Sequence, residues 1–208
     1  MSEQIIGIAA TGFQIPQGVT AEGVFHSAVQ FEVGGEVLCQ YMTKRMEAVQ
    51  GSMQRPHESP PAYLSEPYYT VVYPAVTNWF FGAEMYLKCF LLIESKKPWG
   101  HDLWRLFEGI GRKNQLEIRK AFKQQCEQSK NAATLKKLGF KRVVNLTQRA
   151  SPTMKGTPNY RYAFEGIPDG AVYPSLLCRT LRQAILRVRP EWVTRFQNLQ
   201  HLPACHSH

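Results

Sequence analysis

The sequence has few of the features that mark secreted or membrane-embedded proteins. Its five cysteines are scattered and odd in number, which predicts reduced thiols rather than a disulfide framework. No apolar run reaches the roughly 18 residues that a membrane span needs, because Glu84 and Lys88 interrupt the longest one. The first residues lack the basic segment and the apolar run of a secretory signal. We therefore expect a cytoplasmic protein without membrane contact.

Strand patterns are equally sparse, whereas apolar residues recur at helical spacing along most of the chain. The sequence therefore predicts an all-α protein. Residues 51–67 hold four prolines and have the composition of a linker. We expect three parts: an N-terminal helical extension with a Pro-rich linker over 1–67, a helical bundle over 68–200, and a flexible tail over 201–208.

Breakers and capping residues predict where the helices begin and end. Gly34 and Gly35 should break or weaken the first helix, which resumes after them. Residues 75–94 read as one long, mostly buried helix. Asp102 is a good N-cap for the next helix, and Gly139 is expected to stop a short helix further on.

Glu84 stands out because a buried helix keeps a carboxylate only when a partner compensates its desolvation. Lys88, four residues later, is placed for an ion pair within the helix. Arg161 is the other candidate partner, and the sequence leaves both open. Asn78 is either a third member of this group or a simple polar residue near the helix start.

Three segments resemble the HEPN family (higher eukaryotes and prokaryotes nucleotide-binding domains). They are residues 78–88 (NWFFGAEMYLK), residues 100–107 (GHDLWRLF) and residues 160–165 (YRYAFE). The stretch that contains them covers roughly half the chain, and their order and spacing match the family pattern. The resemblance implies a HEPN-like helical bundle that is often dimeric, with metal-independent ribonuclease activity in many members.

The resemblance also implies which residues form a ribonuclease site. Arg161 would balance charge on the phosphate, and a polar residue such as Glu84 or Asn78 would contact it. The family places a histidine four to six residues after this arginine, and no histidine stands there. His201, which follows Arg195 at the right spacing, is one substitute for the missing base. His101 is the other, although we expect it to bond locally in the turn before its helix.

The net charge of +9 favours a polyanionic partner, and RNA is the one that the resemblance implies. Basic residues cluster around the helix that ends at Gly139, and more lie on the polar side of the last helix. The first group includes Lys136, Lys137, Lys141 and Arg142, and the second Arg179, Arg182, Arg187 and Arg189. Together with Tyr160, Tyr162 and Trp99, such cations would form a surface for single-stranded RNA.

No metal or cofactor is expected. The histidines and the cysteine at the end of the chain fit no closed zinc pattern. The leading hypothesis is a HEPN-like RNA-binding protein, a homodimer, with ribonuclease activity and a role in a prokaryotic toxin or defence system. The alternative is a non-catalytic helical module that binds a protein or a nucleotide.

Overall fold

Six α-helices and one short 3₁₀ helix form the part of the chain that the computed structural model describes, residues 18–52, 62–149 and 172–194. The α-helices are α1 (Ala21–Ser52), α2 (Ala62–Ile93), α3 (Leu103–Gly109), α4 (Arg112–Gln128), α5 (Ala132–Arg149) and α6 (Val172–Val188). The 3₁₀ helix spans Pro190–Trp192. No strand occurs in these ranges, so the prediction of an all-α protein is confirmed for them.

Helix α2 is the centre of the bundle. From Ala75 onward its buried residues face every direction around the helix axis, which is typical of a helix enclosed by others. Helix α1 runs antiparallel to it: Gly35 lies beside Trp79, and the Cys89 thiol reaches the carbonyl of Ala21 at 3.3 Å. Helices α3 and α6 cover the remaining sides of α2.

Helix α1 does not break at Gly34 and Gly35, so that prediction was wrong. The two glycines face side chains of α2. A Cβ atom at Gly35 would stand 2.5 Å from Nε1 of the buried Trp79 side chain. The absence of a side chain allows the indole to pack against the α1 backbone, and this packing holds the helix together despite the low helix propensity of glycine.

The segment predicted as a linker lies partly in helices, since residues 51–52 end α1 and residues 62–67 begin α2. Residues 53–61 lie outside the described part of the chain. Helix α2 begins at Ala62 and runs through Pro67 and Pro74, well before the expected start at residue 75. The domain boundary expected after residue 67 therefore falls inside α2. In addition, α1 buries Phe25 and Ala28 in the same core as α2, so it packs as part of the bundle.

The turns around α3 and α4 follow the predicted pattern. The Asp102 side chain accepts a hydrogen bond from the Arg105 backbone N–H at 2.9 Å, which confirms the predicted N-cap. Glu94 closes the opposite end of α3 by accepting from the Gly111 N–H at 2.8 Å and from Asn114 at 2.7 Å. Partial burial alone would raise the pKa of Glu94, but these bonds and Lys96 hold it below its ordinary value.

Helix α5 is bent at Gly139, whose backbone has φ 73° and ψ 163°. A positive φ is readily available to glycine, so the predicted stop at this residue is confirmed as a break between two helical segments. Pro190 occupies the first turn of the 3₁₀ helix, where its missing N–H costs no hydrogen bond.

Two charged side chains, Glu84 and Lys88, lie within the most apolar helix, α2, and are both buried.

No helix in the described residues is long and apolar enough to cross a membrane. Cys89, Cys126 and Cys178 are free thiols in the described part of the chain.

The close approach at Gly35 generates the first prediction. Gly35→Ala should lower the free energy of unfolding by about 1–3 kcal/mol, because the new methyl group overlaps the confined indole of Trp79. Gly34→Ala is the matched control. Its Cβ would meet the Asn78 amide at 3.2 Å, and a gain of about 1 kcal/mol in helix propensity should offset that contact. Urea unfolding of both variants measures the difference, and equal stabilities would contradict the packing argument.

Candidate functional site

A buried carboxylate, Glu84 on α2, is the centre of the candidate site. Its Oε1 atom accepts a hydrogen bond from Lys88 Nζ at 2.6 Å and lies 2.9 Å from His101 Nδ1. The side chains of Glu84 and Lys88 are almost fully buried, whereas that of His101 is 38% exposed. The ion pair with Lys88 within the helix is therefore confirmed, and His101 connects the buried pair to the surface.

The position of His101 differs from its expected local bonding. Its ring reaches back 17 residues to α2 instead of bonding within the turn before α3. The turn allows this because Gly100 adopts a positive φ of 80° and Asp102 caps α3 directly after the histidine. Sequence reasoning missed the contact because it joins two elements that are distant along the chain.

The Glu84 contact determines what the imidazole of His101 can do. A carboxylate at Nδ1 favours the tautomer that carries its proton there, so Nε2 keeps a free lone pair. Within the described residues Nε2 has no hydrogen-bond partner. A partly exposed histidine oriented in this way is suited to accept a proton from a bound molecule, with Glu84 stabilising the resulting imidazolium.

The second oxygen of Glu84, Oε2, is buried and has no hydrogen-bond partner among the residues that the structure describes. A buried polar atom without a partner costs free energy, so the carboxylate is not fully compensated by Lys88 and His101.

The structure separates Asn78 from this group. Asn78 lies on the side of α2 that faces α1, where its amide is close to Gly34. Five further residues of the predicted sites fall outside the described residues: Arg161, Arg195, His201, Tyr160 and Tyr162. The expected contact between Arg161 and Glu84 stays a prediction.

The predicted basic residues of α5 lie at the surface. Lys136 and Lys137 are exposed before the bend at Gly139, and Lys141 and Arg142 are exposed after it. Lys141 Nζ stands 4.9 Å from the ring centroid of Trp104 on α3, a cation–π distance.

The end of α5 contacts the start of α3, close to His101 in the chain. The Gln148 side chain on α5 accepts from the Leu103 N–H at 2.7 Å, two residues after the histidine. This bond holds the end of α5 against the start of α3. The basic residues that follow the bend therefore lie on the helix that borders the candidate site.

A second buried network, which sequence reasoning missed, lies where α1, α2 and α6 meet. Tyr86 donates to Glu32 Oε2 at 2.5 Å, and Arg182 Nε is 3.5 Å from the same oxygen. The Arg182 side chain is only 14% exposed, so its expected place on a solvated face was wrong. Glu32 continues the apolar stripe of Phe25 and Val29 on α1, and a charge on such a stripe was the available signal.

Burial dominates the ionisation of this network. It raises the pKa of Glu32 despite the opposing effects of Arg182 and Tyr86, and it raises the pKa of Tyr86 well above its ordinary value.

Burial likewise raises the pKa of the Cys89 thiol to about 12. Such a thiol is protonated at neutral pH, which excludes Cys89 as a nucleophile.

Comparison with known proteins adds no relative. The chain matches no protein-family model, no curated protein and no solved structure. The similarity to HEPN proteins therefore remains a resemblance of three short segments.

Metal ligation finds no support in the described ranges. In residues 18–52, 62–149 and 172–194, no three His, Cys, Asp or Glu side chains form a group that could hold a metal ion. In this part of the chain, the side chains that could take part in a reaction are His101 with the buried Glu84 carboxylate, together with the exposed cations of α5.

The Glu32 network predicts a pH-dependent loss of stability. Arg182→Met should lower the free energy of unfolding by about 3–5 kcal/mol near neutral pH, because it leaves the Glu32 carboxylate buried without its cation. The folded state already raises the pKa of Glu32, and removing Arg182 raises it further. The ionised form of Glu32 is thus the one that destabilises the folded state. The stability that Arg182→Met loses relative to wild type should therefore decrease as acid protonates Glu32.

Urea unfolding at several pH values measures this deficit. Arg187→Met on the same helix is the matched control, since Arg187 is exposed, and its effect should be small at every pH. A deficit for Arg182→Met that grows on acidification would contradict the assignment.

Proposed function

We propose that this protein binds single-stranded RNA and cleaves it without a metal ion, with His101 as the general base. The observation that carries the proposal is the 2.9 Å contact between His101 Nδ1 and the buried Glu84 carboxylate, which leaves Nε2 of a partly exposed ring available. The resemblance of residues 78–88 and 100–107 to HEPN proteins supports it, because the contact joins those two segments.

The chemistry requires a base and a cation. Nε2 of His101 takes the proton of a ribose 2′-hydroxyl, and the 2′-oxygen attacks the adjacent phosphorus. The bond from phosphorus to the 5′-oxygen then breaks, and that oxygen leaves with a proton from solvent. The products are a 2′,3′-cyclic phosphate and a 5′-hydroxyl. Arg161 keeps its predicted role, stabilising the charge on the phosphorane.

The basic face of α5 supplies the affinity for RNA in this proposal. Lys136, Lys137, Lys141 and Arg142 are all exposed, and the chain carries a net charge of +9. Exposed cations attract the phosphate backbone regardless of base sequence. The bond from the Leu103 N–H to Gln148 joins the end of α5 to the start of α3, and this supports a role for the α5 cations near His101.

The non-catalytic interaction module remains the second candidate, and one observation favours it. Val37 and Tyr41 are 56% and 52% exposed and lie four residues apart on α1. Residues at this spacing share a helix face, so together they offer an apolar surface to a protein partner. Binding of this kind would persist at high salt, unlike binding to RNA.

The biological setting in the proposal comprises a homodimer, a cytoplasmic location and a role in a prokaryotic toxin or defence system. The homodimer and the toxin or defence role rest on the family resemblance alone. The cytoplasmic location rests on the five scattered cysteines, which are compatible with a reducing compartment.

Cleavage assays test the catalytic assignment. His101→Ala should reduce the cleavage rate of a mixed-sequence single-stranded RNA in EDTA by about 10²–10⁴-fold, the usual contribution of a general base. Glu84→Gln should cause a smaller loss, since the ring remains but its orientation and charge partner are weakened. Arg161→Ala should also abolish most cleavage, and product analysis should find 2′,3′-cyclic phosphate ends.

Two control variants make this assay specific. His26→Ala removes an exposed histidine of α1 and should leave the rate unchanged, and His201→Ala should do the same. Circular dichroism checks that each variant is folded. Full activity in His101→Ala, with loss of activity in His201→Ala, would identify His201 as the general base instead of His101. No cleavage by the folded wild-type protein would reject the ribonuclease proposal.

Salt dependence tests the RNA surface separately from catalysis. Replacing Lys141 or Arg142 with Ala should weaken binding to a single-stranded oligonucleotide and lower the slope of log K against log salt by about 0.7 each. Lys120→Ala, on the exposed side of α4 and paired with Glu117, is the matched control and should leave the slope unchanged. Filter binding between 50 and 300 mM salt, roughly the range in which such slopes are measured, gives the values.

A further inference from the structure

Trp99 is the most exposed large hydrophobic residue in the described part of the chain, at 76%. The other tryptophans are placed differently: Trp79 and Trp192 are buried in the core, and Trp104 is half-buried under Lys141. Exposing an indole leaves a large apolar area in contact with water, so the position of this ring needs an explanation beyond folding.

The loop that carries Trp99 is fixed on both sides of the residue. Before it, the Lys96 N–H donates to the Leu91 carbonyl at 2.8 Å, Lys96 Nζ donates to the Gly109 carbonyl at 2.8 Å, and Pro98 is buried. After it, His101 is held by Glu84. The indole therefore projects from an anchored backbone, and binding a ligand there would require little further ordering of the chain.

The surroundings of Trp99 define what it can bind. The residue stands two positions before His101, so their Cα atoms are at most about 7 Å apart. Lys97 in the same loop and Arg105 in α3 are exposed. An exposed aromatic ring with exposed cations nearby in the sequence is a combination found in proteins that bind single-stranded nucleic acid, since bases stack on the ring while cations hold the phosphates.

We propose that Trp99 is a stacking platform for an unpaired RNA base next to the ribose whose 2′-hydroxyl faces His101. The inference rests on the proposed function and adds the residue that selects single-stranded RNA over duplex RNA. In a duplex the faces of each base are covered by its neighbours, so no face is free to stack on the indole. Trp99 is thus a positioning residue, and the proton transfer belongs to His101.

Binding of a non-cleavable probe tests this platform. A single-stranded 2′-O-methyl RNA oligonucleotide lacks the attacking hydroxyl, so its binding is observed without reaction. It should quench the tryptophan fluorescence of the wild-type protein, and the quenching should be lost in Trp99→Ala. The affinity should fall about tenfold in Trp99→Ala and recover to within about threefold of wild type in Trp99→Phe, which keeps an aromatic face.

Two further readouts separate positioning from a general loss of structure. With cleavable single-stranded RNA, Trp99→Ala should raise KM about tenfold and leave kcat within about twofold, because the ring contributes binding and not chemistry. Leu116→Ala removes an exposed apolar side chain from α4 and should change neither constant. A duplex of the same sequence should bind equally weakly to wild type and Trp99→Ala.

The outcomes distinguish this inference from the function on which it rests. Wild-type protein that neither binds nor cleaves single-stranded RNA overturns both. Wild-type protein that binds and cleaves, while Trp99→Ala binds equally tightly with unchanged quenching, overturns the platform alone. A change in sedimentation of Trp99→Ala without a change in RNA affinity also overturns it, since the indole would then contact a protein.

Discussion

The cost of removing carboxylates from water is a strong constraint on this structure. Three carboxylates are buried in the described residues, and helix α2 separates Glu84 from Glu32 and Glu36 on α1. Glu84 points from α2 toward the start of α3, and Glu32 on α1 faces the opposite side, where Tyr86 and Arg182 meet it. Each buried negative charge requires a cation or a donor nearby, and these requirements fix which helices approach each other. The two networks differ in one respect: the Glu32 network is enclosed by helices, whereas the Glu84 network reaches the surface through His101.

That difference separates structural burial from a candidate reactive site. In the enclosed network, desolvation raises the pKa of both Glu32 and Tyr86, and no member has access to a large molecule. In the open network the buried carboxylate orients the ring, and the exposed part is the imidazole that we propose as the base. An enzyme needs this division of roles, because a base must be accessible while its orientation is fixed by groups that solvent does not disturb.

Local signals predicted much of the fold. The Asp102 cap, the break at Gly139 and the Glu84–Lys88 pair each depend on neighbours along the chain, and each is present in the structure. The failures share a different origin. Glycine propensity predicted a break at Gly34 and Gly35, but packing against Trp79 overrides it. Arg182 and His101 were misplaced because their partners are distant in sequence, and helical periodicity carries no information about which helices meet.

The bend at Gly139 has a consequence for how like charges are distributed. In an unbroken helix Lys137 and Lys141 would stand one above the other, four residues apart, and their ammonium groups would repel each other. The bend assigns them to helical segments with different axes, which separates the two pairs of cations. A polyanion in contact with both pairs would therefore have to follow a curved path over the surface, which flexible chains do more easily than stiff ones.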